Sequence, residues 1–267
     1  WPLPSMAPLA LCLALLAMAV ATVAAETRPL DMSPSSFDDQ YRGCVPAMTA
    51  ALPALNQSEF QNNPVFAKTW AKAVAMWQSR GSPLSPLSPE EAIAIMAYSI
   101  DNSKLYWEFN AAVRTAGSSR REYRHSFQYN TLHFLLTQAV LKLRDTQGQK
   151  CHDVFRGVHD VQFEAQPGDE VRFGQFASSS LDREVAQRYS NDMVFKVHTC
   201  HGVDIQEFSD EPHLREVLIP PFETFQVTNV TREGGKIQIQ LRSARTYSNY
   251  NCEWLRGDNT GDTTGGA

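Results

Sequence analysis

Apolar residues recur at helical spacing along the first half of the chain and at strand spacing along the second. Residues 65–79, VFAKTWAKAVAMWQS, repeat apolar groups three and four apart, which predicts an amphipathic helix ended by Gly81 and the stretch SPLSPLSP. Residues 105–117, LYWEFNAAVRTAG, predict a helix closed by Gly117. Residues 131–145, TLHFLLTQAVLKLRD, predict a more apolar one whose basic end suits the helix dipole. AIAIMAYS, residues 92–99, is open to two readings. Ser88-Pro89-Glu90-Glu91 is a helix start, yet the run fits a first strand equally well.

From Asp153 the pattern changes. VFRGV, VQFEA, VRFGQFASS, MVFKVHT, VDIQEFS, EVLIPP, ETFQVTNV and KIQIQLRS are of strand length, with turn residues between them at antiparallel spacing. Only SLDREVAQRYS, residues 180–190, interrupts as a helix, capped by Ser180 or Asp182. Helices first and strands later predict an α+β fold in one unit over residues 26–255, with 256–267, rich in Gly and Thr, as a flexible tail.

Composition narrows the partners. The 267 residues are 43% hydrophobic and 20% charged, an ordinary globular balance, and a net charge of -5 gives no electrostatic reason to expect nucleic acid or anionic lipid. Met6 opens an uncharged apolar run that ends in Val23-Ala24-Ala25. Small residues before that point predict a signal peptide, residues 1–25, cleaved after Ala25; Trp1 to Ser5 then precede the initiator. A membrane anchor is the competing reading, since the run is near the ~20 residues that a span requires. Removing the leader takes Cys12 with it and leaves Cys44, Cys151, Cys200 and Cys252. An even count in an oxidising compartment predicts two disulfides, with three connectivities open. Asn56 and Asn229 head N-glycosylation sequons in the same compartment. His198-Thr199-Cys200-His201 has no common zinc spacing, and no metal is expected there.

Three polar residues stand in apolar strand settings. Arg156 lies in Val-Phe-Arg-Gly, Ser178 opens a serine triplet at a strand end, and Glu216 sits where Val217-Leu218-Ile219 emerges, ahead of two prolines. Singly, each has an ordinary explanation: a paired strand arginine, a helix cap, a solvated strand-edge glutamate. No G-x-S-x-G elbow surrounds Ser178, so a serine hydrolase is disfavoured.

Their order on successive strands resembles the R-S-E type of ADP-ribosyltransferase. The flanking stretches DVFRGV, RFGQFASSSLD and EVLIPPFE look like the vertebrate ecto-ADP-ribosyltransferases. So do FDDQYRGC (37–44), LYWEFNAAVR (105–114) and the surroundings of Asn251-Cys252, so the resemblance runs from Phe37 to Leu255. It implies a helical N-terminal half on a two-sheet, mainly antiparallel core, with NAD bent in a cleft between two small sheets. NAD is then a co-substrate with no tightly bound cofactor, and the chain indeed lacks the G-x-G-x-x-G dinucleotide fingerprint. By the same resemblance Arg156 binds the NAD phosphates, Ser178 orients the nicotinamide ribose, and Glu216 holds the ribose 2′-hydroxyl and stabilises the sugar cation. Tyr98, Gln175 and Ser209 match further NAD contacts. The implied disulfides are Cys44–Cys252 and Cys151–Cys200.

One position departs. Arginine-specific members carry Glu-x-Glu, and aligning EVLIPP puts the first glutamate at 214, which is Leu. Leucine cannot orient a guanidinium; Glu211 or Asp210 is near enough in sequence for a loop to bring one into the gap. Three outcomes follow: mono-ADP-ribosylation of arginine on extracellular or secretory-pathway proteins, NAD cleavage onto water or another acceptor, or an inactive NAD-binding module. The chain ends at Thr-Thr-Gly-Gly-Ala with no apolar tail, which predicts a secreted product rather than a lipid-anchored one unless its C-terminus is truncated.

Overall fold

The computed structural model describes residues 26–81, 85–100 and 103–256. The expected signal peptide and residues 257–267 of the expected tail lie outside the described residues. After a short strand, β1 (Glu26–Pro29), the chain runs through α1 (Val45–Asn62), α2 (Pro64–Ser79), α3 (Pro89–Ser99), α4 (Lys104–Ala116), α5 (Arg120–Ser126) and α6 (Asn130–Thr146). Helices α2, α4 and α6 fall on the three predicted stretches. AIAIMAYS resolves as α3: the Ser88 hydroxyl accepts from Glu91 N while the Glu91 carboxylate accepts from Ser88 N, a capping box. Residues Ala92 to Tyr98 are all buried, and a helix without a polar face has no helical period to read. Helix α1 escapes prediction because it carries a proline in its first turn and Pro53 inside. Its buried Glu59 accepts from the backbone N–H groups of Asn130 and Thr131, so this carboxylate caps α6, whose own N-cap, Tyr129, makes no side-chain cap bond.

The second half supplies β2 (His152–Gly157), β3 (Val161–Glu164), β4 (Glu170–Val171), β5 (Ala177–Ser180), α7 (Arg183–Tyr189), β6 (Met193–Thr199), β7 (Val203–Asp204), β8 (Glu216–Ile219), β9 (Glu223–Glu233) and β10 (Lys236–Thr246). Asp182 caps α7, accepting from Glu184 N. Two predicted strands are shorter than read. VDIQEFS pairs only at β7, because Asp204 takes Gln206 N and Nε2 and turns the chain. VRFGQFASS breaks after Val171 because Arg172, fully buried, leaves the ladder to pair with Asp38 at 2.6 Å and to donate to the carbonyls of Met32 and Ser33. That contact joins the FDDQY stretch to the sheet. Asp39 in turn accepts from the backbone of Cys252 and Glu253, beside the Cys44–Cys252 disulfide. The second bridge, Cys151–Cys200, joins the start of β2 to the end of β6. Both pairings are those the resemblance implies.

Sheet topology creates the site. The order is β4-β9-β10-β6-β2-β5-β8-β7, with β10–β6 parallel and the other pairs antiparallel; β1 and β3 form a separate parallel pair. The two small sheets expected are therefore halves of one sheet, joined at a seam. Strand β2 pairs with β6 from His152 to Gly157 but with β5 only at Phe155↔Ser180. Along β8 every residue is buried, with Leu218 in the helical core and Val217 and Ile219 in the sheet core. Alternation puts Glu216 on the Leu218 side, facing the helices.

Candidate active site

Each of the three singled-out residues is delivered to the seam by its own strand. Arg156 is the penultimate residue of β2, Ser178 belongs to β5, and Glu216 opens β8 opposite Ser180. They share the wall of a cavity of about 260 Å³, closed on one side by Tyr98, Tyr106 and Trp107 of α3 and α4 and on another by Val185 and Ala186 of α7. Helix α7 can lie against β2 because residue 157 is Gly: a Cβ there would stand 2.2 Å from the Ala186 carbonyl oxygen.

The Arg156 guanidinium donates through Nη1 to the Ser178 carbonyl at 2.6 Å and reaches the Tyr106 hydroxyl at 3.4 Å from both terminal nitrogens. Burial alone would lower its pKa; Tyr106, with Tyr98 and Glu216 behind it, raises it instead, so the cation is secure. Glu216 is 8% exposed. Burial pushes its carboxyl above the ordinary value, while a hydrogen bond from Ser178 and the charge of Arg156 pull the other way. A buried carboxylate beside a fixed cation is the electrostatic setting that a transient sugar cation requires.

The rest of the serine triplet does other work. Ser180 Oγ donates to the Leu214 carbonyl at 2.7 Å and accepts from Asp182 N at 2.9 Å, tying the segment before Glu216 to β5. Leu214 ends a 3-10 turn, Pro212–Leu214, after which Arg215 is left-handed with φ 49°. Leu214 lines the cavity, as Glu211 does.

The additional expected contacts divide. Tyr98 lines the cavity, but its hydroxyl donates to the Phe176 carbonyl and accepts from Asn110, so it braces β5. Gln175 bonds to Arg114 and is not among the cavity walls. Ser209 is also absent from them; wholly buried, its hydroxyl accepts from Glu211 N at 3.1 Å and fixes the loop. Cys151, His198 and Cys200 bring donor atoms within 4.8 Å of one another, but both sulfurs are bonded in the disulfide. Asn229 is exposed on β9, whereas Asn56 is half-buried within α1. Sequence reasoning assigned no cavity role to Tyr106 and Trp107, which it placed in a predicted helix and in one of the resembling stretches; Trp107 is 70% exposed at the cavity.

The profile described as NAD:arginine ADP-ribosyltransferase matches residues 30–249, nearly all of the described chain. The chain belongs to this family. It is 50% identical over 240 residues to GPI-linked NAD(P)(+)–arginine ADP-ribosyltransferase 1 of Mus musculus, covering 85% of this chain and 74% of that protein. It is likewise 50% identical over 230 residues to the erythroblast NAD(P)(+)–arginine ADP-ribosyltransferase of Gallus gallus, covering 85% and 76%. Among solved structures, the eukaryotic mono-ADP-ribosyltransferase ART2.2 superimposes with a TM-score of 0.73 at 35% identity, over 85% of this chain and 98% of that one. Variants of ART2.2 have been solved in complex with NAD and with NADH. The predicted α+β fold is thus that of an ADP-ribosyltransferase. Among the described residues no helix is long and apolar enough to cross a membrane.

Proposed function

We propose that this family member cleaves NAD at the nicotinamide–ribose bond and transfers ADP-ribose to an arginine guanidinium of an extracellular protein. The observation that carries the reading is the meeting of Arg156, Ser178 and Glu216 in one cavity, with Glu216 buried on the helix-facing side of β8. Arg156 offers forked, always-charged donors to the diphosphate. Ser178 orients the nicotinamide ribose. Glu216 accepts from the ribose 2′-hydroxyl, so its negative charge is held beside C1′ as the bond to nicotinamide lengthens. Nicotinamide leaves with the electron pair of that bond, which neutralises its pyridinium ring. The acceptor nitrogen then closes on C1′ and gives up a proton. Every group acting on the sugar is present regardless of position 214.

Relatives are named as GPI-linked or ecto enzymes, and the two disulfides suit an oxidising compartment. Both support action outside the cell.

A second reading rests on Leu214: with leucine where arginine-specific members carry glutamate, water becomes the acceptor and the enzyme is an NAD glycohydrolase. Purified protein incubated with NAD, with and without agmatine, separates the readings. Nicotinamide release accompanied by ADP-ribosylagmatine is expected. Release with ADP-ribose alone supports hydrolysis, and no release from folded protein overturns both.

A further inference from the structure

We infer that Glu211 provides the carboxylate that receives the acceptor guanidinium, from three residues upstream of the position where Leu214 stands. The inference rests on the transferase reading and names the group that sets its acceptor. Of the two acidic residues close in sequence, Glu211 lines the cavity with Leu214 and Glu216, and Asp210 does not. Among the described residues, Asp160 is the other carboxylate of the wall, but it follows β2, on the half of the split sheet that does not carry Glu216.

The Glu211 backbone is fixed before any acceptor arrives. Its N–H donates to the buried Ser209 hydroxyl at 3.1 Å, and its carbonyl accepts from Leu214 N at 3.1 Å. Arg80 donates to the Ser209 carbonyl at 2.8 Å, and Asp210 N donates to Ser99 Oγ at 2.9 Å. These bonds anchor the segment to α2 and α3, so the carboxylate is carried on a braced turn. Its side chain remains 35% exposed, open to a protein surface. His213 Nδ1 lies 3.2 Å from Oε2, and this imidazole, 66% exposed, occupies the place of a cationic partner that an incoming guanidinium can take. Leu214 adds an apolar wall for the methylene stem of an arginine, whose head then meets Glu211.

The chemistry balances. Glu211 accepts a proton from one guanidinium nitrogen, the freed lone pair forms the bond to C1′, and the C1′–nicotinamide bond breaks with its electrons going to the leaving ring. The proton passes from Glu211 to water. NAD cleavage itself needs only the groups around the ribose, so loss of Glu211 weighs on transfer more than on hydrolysis.

The test compares Glu211→Gln, Asp210→Asn and the double variant Glu211→Gln/Leu214→Glu with wild type, reading nicotinamide and ADP-ribosylagmatine together. A lost charge-assisted bond predicts that Glu211→Gln lowers the transfer-to-hydrolysis ratio about tenfold to a hundredfold, with a raised KM for agmatine. Asp210→Asn leaves the ratio as in wild type, and restoring a carboxylate at 214 recovers it. Nicotinamide release confirms folding in each case. A ratio within twofold of wild type in active Glu211→Gln overturns the inference while leaving the transferase reading intact. So does equal loss in Asp210→Asn. Wild-type protein that releases nicotinamide without forming ADP-ribosylagmatine overturns the inference and selects hydrolysis; no release at all removes the reading beneath it.

Discussion

The Arg156 guanidinium and the Ser178 carbonyl are bonded at 2.6 Å across a seam where β2 and β5 share one residue pair. The bond links the two halves of the sheet where the ladder nearly lapses. It also turns the guanidinium toward Tyr106 and the cavity. Lysine at 156 retains the charge but has one nitrogen for these partners and for a diphosphate. Arg156→Lys is therefore expected to raise KM for NAD about tenfold or more, read from initial rates of nicotinamide release. An unchanged KM would detach Arg156 from dinucleotide binding.

The Ser178 hydroxyl is one of the two influences that oppose burial and lower the Glu216 carboxyl pKa. Turnover requires the ionised form, so the rate falls as pH drops through that pKa, which lies above the ordinary 4.5. Ser178→Ala removes a restraint on the pKa, and the acid limb of kcat/KM is expected to move to higher pH. A limb that stays fixed or moves down contradicts the contact.

Some of this was legible in the sequence and some was not, for physical reasons. The strands carrying Arg156, Ser178 and Glu216 were readable because each is a short apolar run bounded by turn residues, and their flanking residues resemble one family closely. The wall from α4 was not: Tyr106 and Trp107 lie off the buried Leu105–Phe109–Val113 face of that helix, and a period that marks the core face does not say which off-face residues rim a cavity. Ser209 matched a ligand contact, yet its hydroxyl is engaged with Glu211 N. Arg172 broke a predicted strand through an ion pair with Asp38, a partner 134 residues away that no local pattern contains.

Gly157 is expected to tolerate no side chain. Alanine would press its Cβ on the Ala186 carbonyl and on Ser190 N, forcing α7 away from β2. Overpacking of this kind costs about 1–3 kcal/mol, and Val185 and Ala186 would leave the cavity wall. Gly157→Ala should therefore lower the urea midpoint and raise KM for NAD together. A change in neither would show that α7 can shift freely.

His133, wholly buried, has Nδ1 2.8 Å from the Tyr41 hydroxyl and Nε2 3.2 Å from the Phe37 carbonyl, and burial lowers its pKa from 6.5 to about 3. Between those values the unfolded chain binds a proton that the folded one does not, so stability rises with pH in this window and is lost as pH falls. One such group contributes a slope of about 1.4 kcal/mol per pH unit. His133→Gln keeps a donor and an acceptor but cannot titrate. Its stability, from urea unfolding at pH 6.5, 5.5 and 4.5, is expected to decline less steeply than that of wild type. Buried carboxylates raised by desolvation, Glu59 and Glu223 among them, act in the opposite sense but are common to both proteins. Parallel curves would show that His133 charges in the folded state.

The account turns on the carboxylate of Glu216 beside the sugar that loses nicotinamide. Glu216→Gln keeps the shape and the burial while removing the charge. Free nicotinamide measured from NAD without any acceptor is expected to fall about a hundredfold to a thousandfold, with the urea midpoint near that of wild type. Release at the wild-type rate from folded Glu216→Gln protein would contradict it.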